Sequence, residues 1–382
     1  MAKFVWRRGF APRTGRSPVT TRSDIQFENT GEVVLAILVS GGAGYIGSHA
    51  ARALRRSGYD VMLYDNLSTG FRCLARGFEL IEGDIADEHR LRAVLTRVDA
   101  VIHFAAHAYV GESVENPRKY FQNNVAAALS LLNSALEAGI RRFVFSSSCA
   151  VYGIPEQNAI GQVAITEQTP REPVNPYGAS KLFFENALAA YGRAYGLHSV
   201  SLRYFNAAGA DESGEIGELH EPETHLIPLA LAACTGNGRE LKIPVLQVPF
   251  LEINGCDYPT ADGTCVRDYV HVDDLADAHV RALLYLETGG ARNGEKGENS
   301  LALNLGTGRG HSVLEVIRAV ENATGRPVRR KLGPRRPGDP PVLVADPAKA
   351  QSVLGWAAKR NLADIVSSAW MWMQKNRLRH VA

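Results

Sequence analysis

The chain of 382 residues is 45% hydrophobic and 21% charged, the balance of a soluble globular protein with room for two domains, or for one large domain with an appended lobe. Its formal net charge of +2 leaves no electrostatic footprint for a nucleic-acid partner: residues 1–34 hold six Lys/Arg against three Asp/Glu, so the remainder stands at 36 against 37. No apolar run reaches the roughly 18 residues of a membrane span, and the five cysteines (Cys73, Cys149, Cys234, Cys256, Cys265) show neither a CxxC pair nor accompanying histidines, so reduced thiols of a cytoplasmic protein and no metal site are expected.

Residues 1–34, rich in Arg, Ser and Thr with no acid before Asp24, are expected to be a disordered extension; an organelle transit peptide or an initiation codon set too far upstream fits the same composition. From residue 35 an apolar run breaks at glycines, turns to helical periodicity at Ile46, Ala50, Ala53 and Leu54, and returns to a strand at Val61 to Tyr64, which makes a βαβ unit. The alternation continues through "FELIEGD" (strand), "DEHRLRAVLTR" (helix), "DAVIHFAA" (strand), a long helix at 117–138, "RRFVFSSSC" (strand), a helix at 177–195 and "HSVSLRYFN" (strand). Nearly continuous apolar strands between helices predict an α/β fold, a Rossmann-type doubly wound parallel sheet covered on both faces. After residue 206 long polar and Gly/Pro-punctuated stretches take over, with an exposed loop at 287–300. The expected division is therefore 35–206 as the dinucleotide-binding domain and 207–382 as a smaller substrate-binding lobe that returns some elements to the first domain.

Gly41, Gly44 and Gly47 form GxxGxxG at a strand-to-helix junction, where glycines permit a tight turn and close approach of a pyrophosphate to the helix N-terminus. Asp65 ends the next strand, placed to accept hydrogen bonds from ribose hydroxyls and to repel a 2′-phosphate, which favours NAD over NADP. In "NPYGASK", Asn175 suits an N-cap and Pro176 the first helical position, so Tyr177 and Lys181 share one helix face. A free tyrosine titrates at about 10; bringing it to about 7 favours the phenolate by roughly 4 kcal/mol, which nearby cations can supply.

Together with "GGAGYIGSH", "YDNLSTG", "GDIAD", "HFAAHAYVGESVENPRKYFQNNV", "FSSSCAVYG", "LRYFNAAGAD", "ETHLIPLAL", "DYPTADGTCVRDYVHVDDLADAH", "NLGTGRGHSV" and "RRPGDPPVLVADPAKA", these motifs span about residues 35–360. The chain resembles the extended short-chain dehydrogenase/reductase family, and within it the UDP-glucose 4-epimerases. The resemblance implies NAD-dependent reversible C4 epimerisation of UDP-glucose and UDP-galactose through a 4-keto sugar, in galactose metabolism, by a cytoplasmic homodimer that pairs the helices at 117–138 and 177–195. It implies Tyr177, Lys181 and Ser148 as the catalytic set, with Lys181 and oxidised nicotinamide lowering the phenol's pKa. Cofactor contacts carried over are Gly41, Gly44, Tyr45, Ile46, Gly47, Asp65, Asn66, Asp84, Ile85, Phe104, Ala105, Ala106, Asn123 and Phe205, besides Tyr177 and Lys181. Nucleotide-sugar contacts are Asn206, Leu226, Arg267, Arg336 and Asp339, besides Ser148 and Tyr177.

Dehydratases and decarboxylases that resemble this family carry acids just after the serine; here those positions are Cys149 and Ala150. Three features depart from the family pattern: His107, Ala108 and Tyr109 stand where some members have a lysine, "PVLQVPFLE" (244–252) looks inserted, and Leu343 falls where some relatives place a bulky tyrosine. The alternatives are accordingly a C4-epimerase of UDP-N-acetylglucosamine or UDP-xylose, or a non-catalytic dinucleotide-binding protein.

Overall fold

The computed structural model describes residues 34–155, 164–235, 248–290, 299–336 and 338–379. The extension expected at 1–34 lies outside them except for Val34, as do residues 244–247 of the apparent insertion and 291–298 of the loop. Five strands form in the expected order: β1 (Ala36–Ser40), β2 (Asp60–Asp65), β3 (Glu79–Glu82), β4 (Ala100–His103) and β5 (Arg142–Ser148). Beyond a short β6 (Ala164–Ile165), β7 (His198–Tyr204) and β11 (Ser300–Leu305) complete a seven-stranded parallel sheet in the order β11-β7-β5-β4-β1-β2-β3.

The strands read as unbroken apolar runs because each feeds two cores. Ile37 and Val39 of β1, Val61 and Leu63 of β2 and Ala100 and Ile102 of β4 point to one core. Leu38, Met62 and Val101 between them point to the other, with Phe143 and Phe145. Helices Tyr45–Arg56 and Val272–Glu287 belong to the first layer, and the long helix Pro176–Tyr195 lies on the second through Phe184 and Leu188.

The remaining strands build a smaller lobe: β8 (Asn206–Ala208), β10 (Val266–His271), β12 (Gly310–Ser312) and β14 (Val342–Ala345) join β6 in a mixed sheet, and β9 (Leu251–Asn254) pairs in parallel with β13 (Arg330–Gly333). The end of the apparent insertion is thus strand, and its Val248 packs on an apolar cluster shared by helices Leu226–Thr235, Val313–Thr324 and Leu362–Arg379. No described helix is long and apolar enough to cross a membrane.

The helix expected at 117–138 takes three forms: a short α segment Pro117–Phe121, a π-helical stretch Gln122–Ala127, and an α-helix Ala128–Glu137. The widened turn places Asn124 where its amide accepts from His107 N at 2.9 Å and donates to His107 O at 2.9 Å.

The helix Pro176–Tyr195 starts as its sequence directs, with the Asn175 side chain accepting from Gly178 N at 2.8 Å and Pro176 at the first position. Its Glu185 reaches under the sheet: Oε1 accepts from Ser147 Oγ at 2.5 Å and Arg203 Nε at 2.9 Å, and Oε2 from Arg203 Nη2 at 2.6 Å. Arg203 continues to Tyr152 OH at 2.7 Å, which donates to Asn304 Oδ1 at 2.7 Å. The Arg203 and Glu185 side chains are 3% and 5% exposed, so neither charge has a solvent fallback. Arg203→Met is therefore expected to cost about 3–5 kcal/mol of unfolding free energy, the range for stripping one partner from a buried pair. Urea denaturation measures it, and a loss within about 0.5 kcal/mol would show that Glu185 is not held by this arginine.

Candidate active site

β1 and β4 are neighbours from which the chain leaves in opposite directions, and the crevice at their carboxyl ends is where open α/β sheets bind ligands. Gly41 follows β1 with φ +75°, and a Cβ there would lie 2.5 Å from Ala105 N. A Cβ on Gly47 would lie 2.2 Å from Gly41 O, while Gly44 N donates to Gly41 O at 3.2 Å. The turn is thus closed onto itself and onto the Phe104–Ala105 backbone, both of whose N–H groups donate to Ser40 O. Helix Tyr45–Arg56 opens directly from it with no side-chain cap and no acid in its first turn, a fixed positive end for an anion.

Asp65 sits at the end of β2, its Oδ2 accepting from Ala43 N at 2.9 Å and its Oδ1 from Leu67 N at 2.8 Å. Burial raises its pKa, and those two N–H groups work against the rise. Beyond it Asn66 Nδ2 donates to Asp84 Oδ2 at 2.8 Å, and Ile85 is buried, which puts Asp65, Asn66, Asp84 and Ile85 on one side of the crevice. Phe104, Ala105 and Ala106 follow β4, and Asn123 joins them through the π-helical turn, its Nδ2 donating to Asn124 Oδ1 at 2.9 Å. Tyr45 turns away into the interior, donating to Gly209 O at 2.7 Å, whereas Ile46 stays half-buried in the first turn of the helix.

Gly178 lets the catalytic-type helix close on the end of β5, since a Cβ there would come 2.4 Å from Ala150 O. That approach brings Ser148 close enough for its hydroxyl to favour the ionised Tyr177 phenol. Lys181, 3% exposed, donates from Nζ to Ser146 O at 2.7 Å and lies 5.8 Å from the Tyr177 ring centroid. The lowering expected from Lys181 together with oxidised nicotinamide starts from a phenol that burial raises. Burial pushes Tyr177 up to about 12 against the pull of Ser148, and burial also pushes Lys181 down to about 7, opposed by Glu185. Desolvation outweighs an ammonium that is turned onto a carbonyl. Cys149 is raised to about 11 by burial, so no acid or thiolate stands beside Ser148 at neutral pH.

On the lobe side, Phe205 is buried with Val151, Tyr152, Ile165 and Ala345, and Asn206 pairs with Tyr269 in the β8–β10 ladder. Arg267 on β10 donates from Nη2 to Asp339 Oδ1 at 2.9 Å and from Nη1 to Val266 O at 2.9 Å. Register places Leu343 beside Arg267, and Leu343 packs on the same cluster that carries Cys149. With the Asn254 amide turned to present its oxygen, that oxygen accepts from Arg336 Nη2 at 3.2 Å and Nε at 3.1 Å. Leu226 opens helix Leu226–Thr235.

Sequence reasoning missed three contributors. Asn124 and Glu185 act through long-range contacts that no spacing reveals. The loop before Leu226 gathers Glu218, His220, Glu223 and His225; its E-x-H-x-x-E-x-H spacing was the available signal, overshadowed by the cysteines.

Residues 37–295 match the NAD dependent epimerase/dehydratase family. A UDP-glucose 4-epimerase of Rhizobium meliloti (strain 1021) is 50% identical over 338 residues, which are 88% of this chain and 96% of that protein. Among solved structures, the UDP-glucose 4-epimerase from Brucella ovis in complex with NAD aligns with TM-score 0.80 at 47% identity, covering 88% of this chain and 98% of that one. The enzyme from Bifidobacterium longum in complex with NAD+ and UDP aligns with TM-score 0.78 at 37% identity, covering 89% and 98%.

The lysine offers a test in the free protein. Lys181 is held at about 7, against about 10.4 in an unfolded chain, so between those values the unfolded chain binds a proton that the folded one has lost. Stability then rises with pH across that window. Relative to Lys181→Met, the wild-type protein is expected to gain in Tm from pH 7 to about pH 10. A difference in Tm that stays flat or falls over this range would contradict the depressed value.

Proposed function

Because the chain belongs to the NAD dependent epimerase/dehydratase family, we propose that it interconverts UDP-glucose and UDP-galactose at C4 with tightly held NAD, in galactose metabolism. The observation that carries the reading is the approach of Tyr177 and Lys181 to the end of β5 at Ser146–Ser148, with Cys149 and Ala150 where a carboxyl group would serve elimination. The relatives named UDP-glucose 4-epimerase support it over nearly their whole length.

The residues present fit NAD: the glycine turn is a cradle that side chains would fill, the first helical turn carries no acid, and Asp65 offers carboxylate oxygens at the ribose end. Gly41, Gly44, Ile46 and Gly47 would hold the pyrophosphate. Asp65 and Asn66 would hold the adenosine ribose, and Asp84, Ile85, Phe104, Ala105, Ala106, Asn123 and Phe205 would line the rest. Tyr45 would act behind the turn. The cofactor, when bound, supplies reversible hydride exchange at C4.

Tyr177 takes the proton of the sugar's 4-hydroxyl and returns it, with Ser148 bonding the same oxygen. For that, the phenol must come down from about 12, at about 1.36 kcal/mol per unit, and a cation beside it lowers it in the required direction. Lys181 fixes the nicotinamide ribose and adds its own charge when protonated. Asn206, Leu226, Arg267 and Arg336 would anchor the nucleotide diphosphate, with Asp339 orienting Arg267, while the keto sugar turns over. In this reading residues 35–206 hold the cofactor and 207–382 mainly the sugar nucleotide.

Leu343 favours a second reading, in which a roomier wall beside Arg267 admits UDP-N-acetyl sugars. A homodimer is part of the proposal, supported by Phe121 and Phe183, exposed by 43% and 50% on the two helical segments expected to pair. The free state of all five cysteines agrees with a cytoplasmic location.

Purified chain with no added NAD is expected to convert UDP-galactose to UDP-glucose, with UDP-N-acetylgalactosamine and UDP-xylose measured alongside. Tyr177→Phe should lower kcat by about 10²–10⁴-fold, the share of a general acid–base, while NAD stays bound. Turnover unchanged in that variant would remove Tyr177 from the chemistry. Phe183→Glu should shift sedimentation from dimer to monomer; an unshifted dimer would place the interface elsewhere.

A further inference from the structure

The loop Glu218–His225 draws four side chains to one point, with one potential ligand atom from each of Glu218, His220, Glu223 and His225 within 4.8 Å of the others. The carboxylates are its buried members: Glu218 and Glu223 side chains are 4% and 3% exposed, against 21% for His220 and 48% for His225. Two carboxylates withdrawn from water at one place require cationic company. His225 Nδ1 supplies some by hydrogen-bonding Glu218 Oε1. The backbone helps Glu223, whose Oε1 accepts from Thr224 N and His225 N, both at 2.8 Å.

His220 has a different geometry. Its Nδ1 is buried without a hydrogen-bond partner, standing 3.4 Å from Glu218 Oε1 and 3.5 Å from Glu223 Oε2. Those separations exceed the usual 2.7–3.2 Å of an N–H···O bond. They equal the ligand-to-ligand edge of a tetrahedron, roughly 3.4 Å, around an ion with bonds of about 2.1 Å. The same separations are those of ion pairs, and the four potential ligand atoms are close enough together to share one ion. Tyr45 and Tyr109 close the surroundings, their rings edge-on to His220 at centroid distances of 6.0 and 6.2 Å. The half-exposed His225 leaves a route from solvent.

We propose that Glu218, His220, Glu223 and His225 form a binding site for a divalent transition-metal ion, with zinc the best-matched occupant. Two imidazoles and two carboxylates suit zinc better than magnesium or calcium, which prefer all-oxygen shells. Ligation needs both imidazoles neutral and both carboxylates ionised, so the dication displaces the protons that the ligands carry. All four ligands come from protein, the mark of a structural site. The ion would pin the loop that leads into Leu226 against Tyr45, whose hydroxyl already holds Gly209 O at 2.7 Å. It would act as a staple between the glycine turn and the helix Leu226–Thr235, and the inference stands apart from the sugar assignment.

The test uses untagged full-length chain, stripped with a chelator and dialysed. Zinc is titrated against a chromophoric competitor, with Tm and proton release followed in parallel and magnesium as the control. One zinc per chain, a raised Tm and net proton release are expected, with no saturable magnesium binding. His220→Ala and Glu223→Gln should each weaken binding beyond the roughly 10–100-fold cost of losing an outer partner. His225→Ala, at the most exposed ligand, repeats the test with the least risk to folding, and His89→Ala on a distant exposed helix should leave zinc binding intact. Absence of saturable zinc binding, equal binding of magnesium, or stoichiometric zinc binding that survives all three ligand variants would overturn the site. UDP-galactose turnover is recorded separately, so loss of either result leaves the other readable.

Discussion

The position of the Tyr177–Lys181 helix depends on one buried carboxylate. Glu185 lies one turn beyond Lys181 and takes hydrogen bonds from Ser147 on β5 and from the Nε–Nη2 edge of the Arg203 guanidinium on β7. One side chain thus ties the helix to two adjacent strands whose carboxyl ends face the crevice. The bidentate pairing fixes orientation as well as distance. Ser146, the residue before Ser147, offers its carbonyl to Lys181 at 2.7 Å. The ammonium and its helix are therefore located by the same short stretch of β5 that ends at Ser148.

Close approach does the rest. Gly178 lies against Ala150 and Gly41 against Ala105, contacts that a side chain at either glycine would forbid. The site is assembled by pressing bare backbone against bare backbone at two places, one for each half of the proposed chemistry. The resulting dryness has an electrostatic consequence. It drives the Tyr177 phenol and the Lys181 ammonium toward their neutral forms, so the pair is poised to respond strongly to any charge that enters beside it.

Much of this was legible in the residues. The Asn175–Pro176 start, the glycine spacing and Asp65 are local signals, each with a local physical cause: Asn175 caps Gly178 N, and Asp65 accepts from Ala43 N within the glycine turn. Alternation of apolar strands and helices likewise gave the parallel sheet. What escaped was non-local or cooperative. No spacing announces that β11 will return to pair with β7 after the lobe has been built, or that Glu185 will meet Arg203. The π-helical turn at Gln122–Ala127 carries the clasp of Asn124 on His107, a long-range contact that the periodicity of its own segment does not reveal. The raised starting point of the Tyr177 phenol was not legible either, because charge partners can be read from a sequence, whereas burial at a particular atom cannot.

The two-core strands carry a further consequence. In β1, Ile37 and Val39 enter one core while Leu38 enters the other, and Gly41 follows one residue after the strand ends. Packing and cradle therefore share a single reading frame. A conservative exchange at any one of these positions alters a volume. An insertion or deletion of one residue before Gly41 would interchange the inward faces of the whole strand and displace the turn from Ala105 at once. This part of the chain can drift in composition but not in length.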